Sequence, residues 1–212
     1  MSRDEIVDAV FAISCRSLPV DHAYALSQAV QAALPWFPDE PEAGLHTIHG
    51  AASGAGWTRP EERVELSHRA RLALRLPRRR LEDAAALVGQ TLEVAGSAMR
   101  VDRLAARPLV RIKTLFSRSV VLAEDEEAAF LAAAATELGA LGMKPSTMLC
   151  GREVLLATPG RTYRTRSLMV AGLTMEQSLE LQRRGLGTER KLGCGVFIPH
   201  KDVGDLSART DD

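Results

Sequence analysis

The stretch of this sequence best suited to chemistry on phosphate lies near its C-terminal end, where four glycines flank two adjacent cations. The glycines are Gly185, Gly187, Gly193 and Gly195, and the cations are Arg190 and Lys191. Because glycine has no side chain, the backbone can approach a polyanion closely with its N–H groups exposed while the cations supply charge. The spacing therefore predicts a phosphate-binding loop, anchored by a short strand over residues 196–198.

The five histidines are the natural candidates for proton transfer, since imidazole titrates near neutral pH. His22 follows Asp21, a predicted helix N-cap, and the positive end of the helix dipole favours the neutral imidazole that a general base requires. His46 and His49 lie on opposite sides of a short predicted strand, so at most one of them easily shares a site with His22. Structural roles are predicted for the remaining two, His68 and His200.

Composition narrows the class of protein. The chain has 212 residues, of which 46% are hydrophobic, enough to bury a core in one large or two small domains. Its three cysteines are far apart and form no C-x-x-C pair, which predicts a reducing cytoplasm without disulfides. No residues have the spacing of metal ligands, so we expect neither metal nor other cofactor. We also expect no membrane partner, because no apolar run approaches the roughly 20 residues that span a bilayer.

The formal net charge is zero, but the charges are segregated along the chain. Residues 1–58 and 119–143 are net acidic, whereas residues 59–118 and 144–201 are net basic. Two basic blocks that meet on one face would form a phosphate-binding surface on a neutral protein. Solvated faces that alternate by chance are the alternative interpretation.

Two arginine clusters within the basic blocks are candidates for phosphate contacts. One lies at a predicted helix N-terminus, where the helix dipole disfavours cations, so its position indicates an anionic partner. It consists of Arg78, Arg79 and Arg80. The other lies on or beside a predicted hairpin tip and consists of Arg161, Arg164 and Arg166. Plain solvent exposure is the alternative for both clusters.

Hydrophobic periodicity divides the chain into two halves with the same order of elements. In the first half we predict strands at 6–14, 44–51, 66–76 and 91–101, the last as a strand or hairpin, and helices at 22–34, with one apolar stripe, and from Pro77 to Gly89. In the second half we predict strands at 109–115, 148–158, 163–172 and 196–198, and helices at 124–141 and after Thr174, which forms a capping-box pattern with Gln177. Arginines of the 66–76 strand would form an outward row.

Each half therefore reads as strand, helix, strand, strand, helix, strand. The predicted fold class is α+β, with two tandem ferredoxin-like domains at residues 1–104 and 105–201. Residues 53–56 (SGAG) are predicted to form a flexible turn. The acidic tail, residues 202–212, is predicted to be disordered.

This order of elements, together with three sequence segments, resembles the RAMP superfamily of CRISPR proteins, and within it the Cas-six endoribonucleases that cut CRISPR repeat RNA. The segments are 19–26 (PVDHAYAL), 44–50 (GLHTIHG), and the glycine loop, 185–187 (GLG) with 191–199 (KLGCGVFIP). The similarity is greatest to the myxan branch of type I systems and covers most of the chain. The acidic tail has no counterpart in the pattern.

The resemblance implies metal-independent cleavage of CRISPR precursor RNA within a hairpin repeat. In this chemistry the ribose 2′-OH attacks the adjacent phosphate and leaves a 2′,3′-cyclic phosphate and a 5′-OH. His22, at a position where family members often place a histidine, is the first candidate for the base, and His46 is the second. RNA binding is implied for the arginine clusters and the loop, and other subunits of a CRISPR effector complex are implied as partners.

Two other functions compete with this hypothesis. A RAMP subunit that holds guide RNA without cutting it would need the basic face and the glycine loop but no functional histidine. The two-histidine phosphoesterases need paired H-x-[ST] motifs. Residues 46–48 (HTI) place the threonine one position too early for that motif, so the sequence disfavours this class.

Overall fold

The first predicted strand forms the centre of the N-terminal sheet. In the computed structural model, which describes residues 5–49 and 62–200, β1 (Ile6–Ser14) pairs antiparallel with a strand on each side. Val7, Ala9 and Phe11 are fully buried on one side of β1, as the side-chain period of two predicts.

The other elements of the first half follow in chain order. They are β2 (Ser17–Pro19), α1 (Ala23–Ala33), β3 (Gly44–His46), β4 (Arg63–Glu65), β5 (Arg71–Pro77), α2 (Leu81–Ala84), β6 (Thr91–Val94) and β7 (Ser97–Pro108). Helix α2 lies between two 3-10 turns, Arg78–Arg80 and Ala85–Leu87. Leu26 and Val30 of α1 are buried in the core, so the predicted apolar stripe of this helix is confirmed.

The N-terminal sheet has the strand order β3-β5-β1-β7-β6, and β2 pairs separately with β4. Without the added strand β6, this order is the ferredoxin-like arrangement that the sequence predicts. The predicted hairpin within residues 91–101 is confirmed, because β6 and β7 pair across a turn at Ala95 and Gly96.

The second half repeats the arrangement with a four-stranded sheet of order β11-β8-β10-β9. Its elements are β8 (Leu115–Val120), α3 (Glu127–Ala140), β9 (Thr147–Ala157), β10 (Thr162–Ala171), α4 (Met175–Arg184), a 3-10 turn (Arg190–Leu192) and β11 (Ile198–Pro199). Phe130, Leu168 and Phe197 belong to its core. The predicted capping box is present, since Thr174 accepts from the Gln177 backbone and the Gln177 side chain accepts from that of Thr174.

The chain separates into two compact units. Unit 1 comprises Met1–Pro108 together with two short later segments, Leu156–Thr162 and Arg190–Gly193. Unit 2 comprises Leu109–Leu155, Tyr163–Glu189 and Cys194–Asp212. The predicted flexible turn at 53–56 and the predicted disordered tail at 202–212 lie outside the described residues.

Several predicted boundaries are wrong. His22 and not Asp21 holds the N-cap position of α1, with no side-chain cap. The strand predicted at 66–76 begins only at Arg71. The strand predicted at 109–115 lies instead at Leu115–Val120, where the polar residues 117–119 obscure the apolar pattern. Ser117 is nevertheless buried there, because its hydroxyl donates to the Ser119 carbonyl.

Candidate functional site

Asp8, Arg75 and His46 form a hydrogen-bonded cluster on the N-terminal sheet. Asp8 and Arg75 lie directly opposite each other in β1 and β5. Arg75 donates from Nε to Asp8 Oδ1 at 2.9 Å and from Nη2 to Oδ2 at 3.1 Å. From β3, on the far side of β5, His46 places Nε2 3.1 Å from Asp8 Oδ1. Because the Arg75 side chain is 0% exposed, its predicted place in an outward row of arginines is wrong.

The charges in this cluster decide its protonation states. Burial opposes ionisation of Asp8, but the hydrogen bond from His46 and the charge of Arg75 outweigh burial and hold the pKa of Asp8 well below its ordinary value. Burial lowers the pKa of His46, and the positive charges of Arg75 and Arg190 act in the same direction against the hydrogen bond to Asp8. At neutral pH the cluster therefore holds an ionised Asp8 and a neutral His46.

His22 is also neutral, but in a more enclosed place. Its side chain is buried, and its Nδ1 lies 2.8 Å from the Pro19 carbonyl oxygen, so Nδ1 carries the proton. Its Nε2 is buried and makes no hydrogen bond within the described residues. Burial lowers the pKa of His22, while the backbone groups of Pro19 and Ile48 oppose that shift. Burial thus favours the neutral imidazole that the sequence predicts for His22.

Three histidines of unit 1 lie on or beside the segment that begins with β3. Ile48, whose backbone acts on His22, follows His46 by two residues. His49 is exposed, and its Nε2 lies 2.9 Å from the Thr47 hydroxyl. His22 therefore neighbours the segment that carries His46 and His49, and the structure leaves all three as candidates for the chemistry.

The cations of the glycine loop are held against the same unit. The Lys191 ammonium donates to the carbonyl of Glu40 and, at 2.9 Å, to that of Ala43, and it lies 5.0 Å from the centre of the Phe37 ring. Burial lowers the pKa of Lys191 to about 8. Arg190 is partly buried, which lowers its pKa to about 10, and its charge acts on His46. The turn Arg190–Leu192 is thus anchored in place, with one cation close to a candidate catalytic histidine.

The loop glycines serve packing within the protein. All four predicted phosphate-binding N–H groups already donate internally: Gly185 to Leu181, Gly187 to Glu137, Gly193 to Arg190 and Gly195 to Ser119. A methyl group at Gly195 would lie 2.0 Å from the Leu186 carbonyl oxygen. In this conformation the amides do not form an exposed phosphate cradle, and RNA binding by the four glycines stays a prediction without structural support.

The first arginine cluster has its anionic partner inside the protein. Glu40 is buried, and its carboxylate accepts from Arg79 at 3.0 and 3.1 Å and from Arg80 at 3.0 Å. Arg80 also pairs with Asp83, and the remaining member, Arg78, pairs with Glu5. In the structure the anions that these arginines contact are therefore carboxylates of the protein itself. Its contact with RNA stays a prediction.

The second arginine cluster lies on and beside the β9–β10 hairpin, as predicted. Arg161 is exposed in the turn between the two strands. Arg164 is exposed and pairs with Asp125 and Glu153. Arg166 donates to the backbone carbonyls of Asp125 and Gly151. Of the three, Arg161 and Arg164 are the more exposed, and their RNA contact stays a prediction.

Sequence patterns did not single out Asp8 and Arg75 as parts of the site. Asp8 interrupts an apolar strand, and Arg75 interrupts a run of leucines. These two charges on buried strands were the sequence feature that could have indicated an ion pair. Within residues 5–49 and 62–200, no group of three or more His, Cys, Asp or Glu side chains could hold a metal ion. No helix in that part of the chain is long and apolar enough to cross a membrane.

Known proteins are similar to this chain in sequence. The family model described as Cas6 Crispr matches residues 7–202. The CRISPR-associated endonuclease Cas6 of Myxococcus xanthus (strain DK1622) is 32% identical over 194 residues, which cover 91% of this chain and 81% of that protein.

Two solved structures share the fold at low sequence identity. The structure of a Cas6-related gene product from Pyrococcus furiosus has a TM-score of 0.64 and 11% identity over 93% of this chain and 99% of its own. The CRISPR endoribonuclease Cse3, solved with a 19 nt RNA, has a TM-score of 0.53 and 12% identity over 91% and 97% of the two chains. The family model and the myxococcal relative, which each span most of the sequence, show that the chain belongs to the Cas6 family of CRISPR-associated endonucleases.

Proposed function

We propose that this protein cleaves CRISPR precursor RNA within a hairpin repeat, without a metal ion, to give guide RNA. The ribose 2′-OH attacks the adjacent phosphorus, the 5′ oxygen leaves, and the products carry a 2′,3′-cyclic phosphate and a 5′-OH. The observation that carries the proposal is a neutral His46 held by Asp8 with the Arg190 cation nearby. The RNA-bound Cse3 relative supports RNA as the partner.

His46 is the stronger candidate for the general base. Its Nε2–H donates to the Asp8 carboxylate, so its lone pair lies on Nδ1 and can accept the 2′-OH proton. His46 is partly exposed, with 17% of its side chain accessible, whereas His22 is buried. A base must reach the proton that it removes, so exposure favours His46. His22, with its lone pair on a buried Nε2, is the second candidate.

The same site supplies a cation for the phosphorane that forms during attack. Arg190 keeps its charge at neutral pH, because its lowered pKa is still about 10. A cation held near the reacting phosphate stabilises the charge that develops in the transition state. The buried surroundings of the Arg190 turn strengthen this interaction relative to water.

Exposed arginines on β7 extend the positive charge beside this cluster. Arg107 lies directly opposite Asp8 in the β1–β7 pair, and both Arg103 and Arg107 are exposed. Within residues 5–49 and 62–200, neither of these two arginines forms an ion pair, in contrast to Arg78 and Arg80. These arginines therefore offer the RNA backbone charges that the fold does not already use.

Cleavage of a hairpin repeat RNA in EDTA tests the proposal. We expect the wild-type protein to cleave under these conditions and His46→Ala to lose about 10²- to 10⁴-fold in rate, the usual worth of one proton-transfer group. Binding is measured with RNA carrying a 2′-deoxy substitution at the mapped cleavage position, which cannot be attacked. His46→Ala should retain its affinity for this RNA.

His22→Ala is the matched comparison, since it removes the second candidate for the base. We expect it to lower stability through the loss of a buried side chain and to change the rate of the folded protein less than His46→Ala does. A folded His22→Ala protein that binds but does not cleave would move the base to His22. Binding without any wild-type cleavage would favour a guide-RNA subunit, and cleavage that requires added metal would exclude the proposed mechanism.

A further inference from the structure

We infer that Asp8, itself fixed by Arg75, is a positioning residue that sets the tautomer and ring orientation of His46 for RNA cleavage. This inference rests on the proposed function, because it assigns the task of orienting the base. Asp8 does not contact the reacting atoms in this scheme. It acts through the Nε2–H···Oδ1 hydrogen bond to His46, which is 3.1 Å long.

The tautomer follows from that hydrogen bond. A carboxylate can only accept, so His46 must carry its proton on Nε2 and present the lone pair of Nδ1. Without an acceptor at Nε2, the neutral ring would exchange between its two tautomers and could rotate about χ2. Only one tautomer and one ring orientation direct a lone pair to a given 2′-OH, so the Asp8 contact raises the fraction of productive His46.

Arg75 explains why Asp8 stays in place. The two residues are directly opposed across adjacent central strands, and both oxygens of Asp8 accept from the Arg75 guanidinium. A bidentate pair of this kind is stronger and more directional than a single ionic contact. Because Arg75 is fully buried, breaking the pair would take the Asp8 carboxylate away from a buried guanidinium.

The charged groups that face His46 come from three elements. Asp8 on β1 raises the pKa of His46, whereas Arg75 on β5 and Arg190 in the 3-10 turn lower it. After burial, the hydrogen bond that His46 donates to Asp8 has the largest effect on the pKa of His46. Loss of Asp8 must therefore move the titration of His46 to lower pH, whether or not Arg75 is retained.

The test replaces the pair and leaves no buried charge. In Asp8→Leu/Arg75→Met, apolar side chains of similar size occupy both positions, a change that proteins often tolerate. We expect affinity for the uncleavable repeat RNA to stay within about 2-fold, and the cleavage rate to fall roughly 10- to 100-fold, a part of the full value of a general base. On the acid limb of the pH–rate profile, the rate rises with pH as His46 loses its second ring proton and becomes a base. This limb should move to lower pH in the double variant.

Asp102→Leu/Arg100→Met is the matched control. It removes the same two residue types from the same unit, where Arg100 Nε and Asp102 Oδ1 form an exposed pair 3.1 Å apart. This control should change neither the rate nor the pH midpoint. If the Asp8 and Arg75 double variant does not fold, Asp8→Asn/Arg75→Gln takes its place, because it also removes both charges, with the same expected direction of the pH shift.

Nuclear magnetic resonance of ¹⁵N-labelled histidine gives a readout that does not depend on activity. The His46 ring nitrogens of the wild-type protein should report the Nε2–H tautomer, and the double variant should lose this preference. An unchanged tautomer and pH midpoint in a folded variant overturn the inference, as does a rate loss explained entirely by unfolded protein. If wild-type protein does not cleave at all, the proposed function fails, while the resonance experiment still tests the positioning of His46.

Discussion

Replacing Gly195 with alanine separates a structural role of the glycine loop from direct binding of phosphate. Gly195 has φ +66°, and a Cβ there would lie 2.0 Å from the backbone oxygen of Leu186. Its N–H already donates to the Ser119 carbonyl at 2.7 Å. An alanine at position 195 would therefore adopt an unfavourable backbone conformation. Its methyl group would also clash with a backbone oxygen, which cannot move away by a change of side-chain rotamer.

These two effects set the expected magnitude. A left-handed backbone costs a residue with a side chain roughly 1–2 kcal/mol, and overpacking typically costs about 1–3 kcal/mol. We expect Gly195→Ala to lower the free energy of unfolding by about 2–5 kcal/mol, a large part of the roughly 5–15 kcal/mol that stabilises a typical domain.

Two glycines of the same unit provide graded controls. Gly142 has φ +73°, but nothing lies within 4 Å of the position that an alanine methyl group would occupy, so Gly142→Ala should cost only the backbone part, about 1–2 kcal/mol. Gly139 lies in α3 with ordinary φ and open space, so Gly139→Ala should stabilise by about 0.5–1 kcal/mol through helix propensity. Urea unfolding followed by circular dichroism would rank the three variants.

The order of stability of the three variants and the RNA affinity of Gly195→Ala together distinguish packing from phosphate binding. At a temperature where Gly195→Ala is folded, its affinity for hairpin repeat RNA should stay within about 2-fold of wild type, because the amide is already occupied. Equal stability losses in Gly195→Ala and Gly142→Ala would refute the packing argument. A large loss of affinity without a loss of stability would restore the phosphate-cradle interpretation.

Two further predictions concern the segment that holds Lys191. Glu40→Gln removes the buried charge that Arg79 and Arg80 share, and it should lower the melting temperature by several degrees. The control Glu42→Gln, whose side chain is 48% exposed, should change the melting temperature by about 1 °C or less. Equal shifts of the two variants in calorimetry would contradict this prediction. The pKa of Lys191 falls from 10.5 to about 8 on folding, so the unfolded chain binds more protons between these values and stability should rise with pH across that window. Lys191→Met should remove that rise in urea titrations, and an unchanged slope would show that Lys191 is not its source.

Local pattern predicted the elements well where the pattern was simple. The apolar run of β1, the buried stripe of α1 and the capping box at Thr174 depend on neighbours within a few residues, and all are present in the structure. The ferredoxin-like order follows from these elements, because helices alternate with strand pairs in both halves. The predicted position of β8 was wrong because one buried serine, one partly buried serine and an exposed arginine remove the apolar signal that marks a strand.

The partners of charged residues could not be predicted in the same way. The helix dipole indicated an anionic partner for Arg79 and Arg80, yet that partner, Glu40, lies about 40 residues earlier in the chain. Which carboxylate meets which arginine depends on tertiary packing, and neither composition nor local spacing encodes it. The same limit applied to Lys191, whose acceptors are backbone carbonyls of the same distant segment.

Arg75 shows which charges in such a sequence point to a site. An arginine among leucines on a central strand would be very costly to bury alone, so it requires a carboxylate on the adjacent strand or at its edge. Asp8, the one acidic residue of β1, meets that need across the β1–β5 register, and the register in turn brings the carboxylate within reach of His46. Because burial of Arg75 without a carboxylate is costly, it favours the strand register that pairs Arg75 with Asp8. Through Asp8, the same register orients His46, the histidine that we propose as the base.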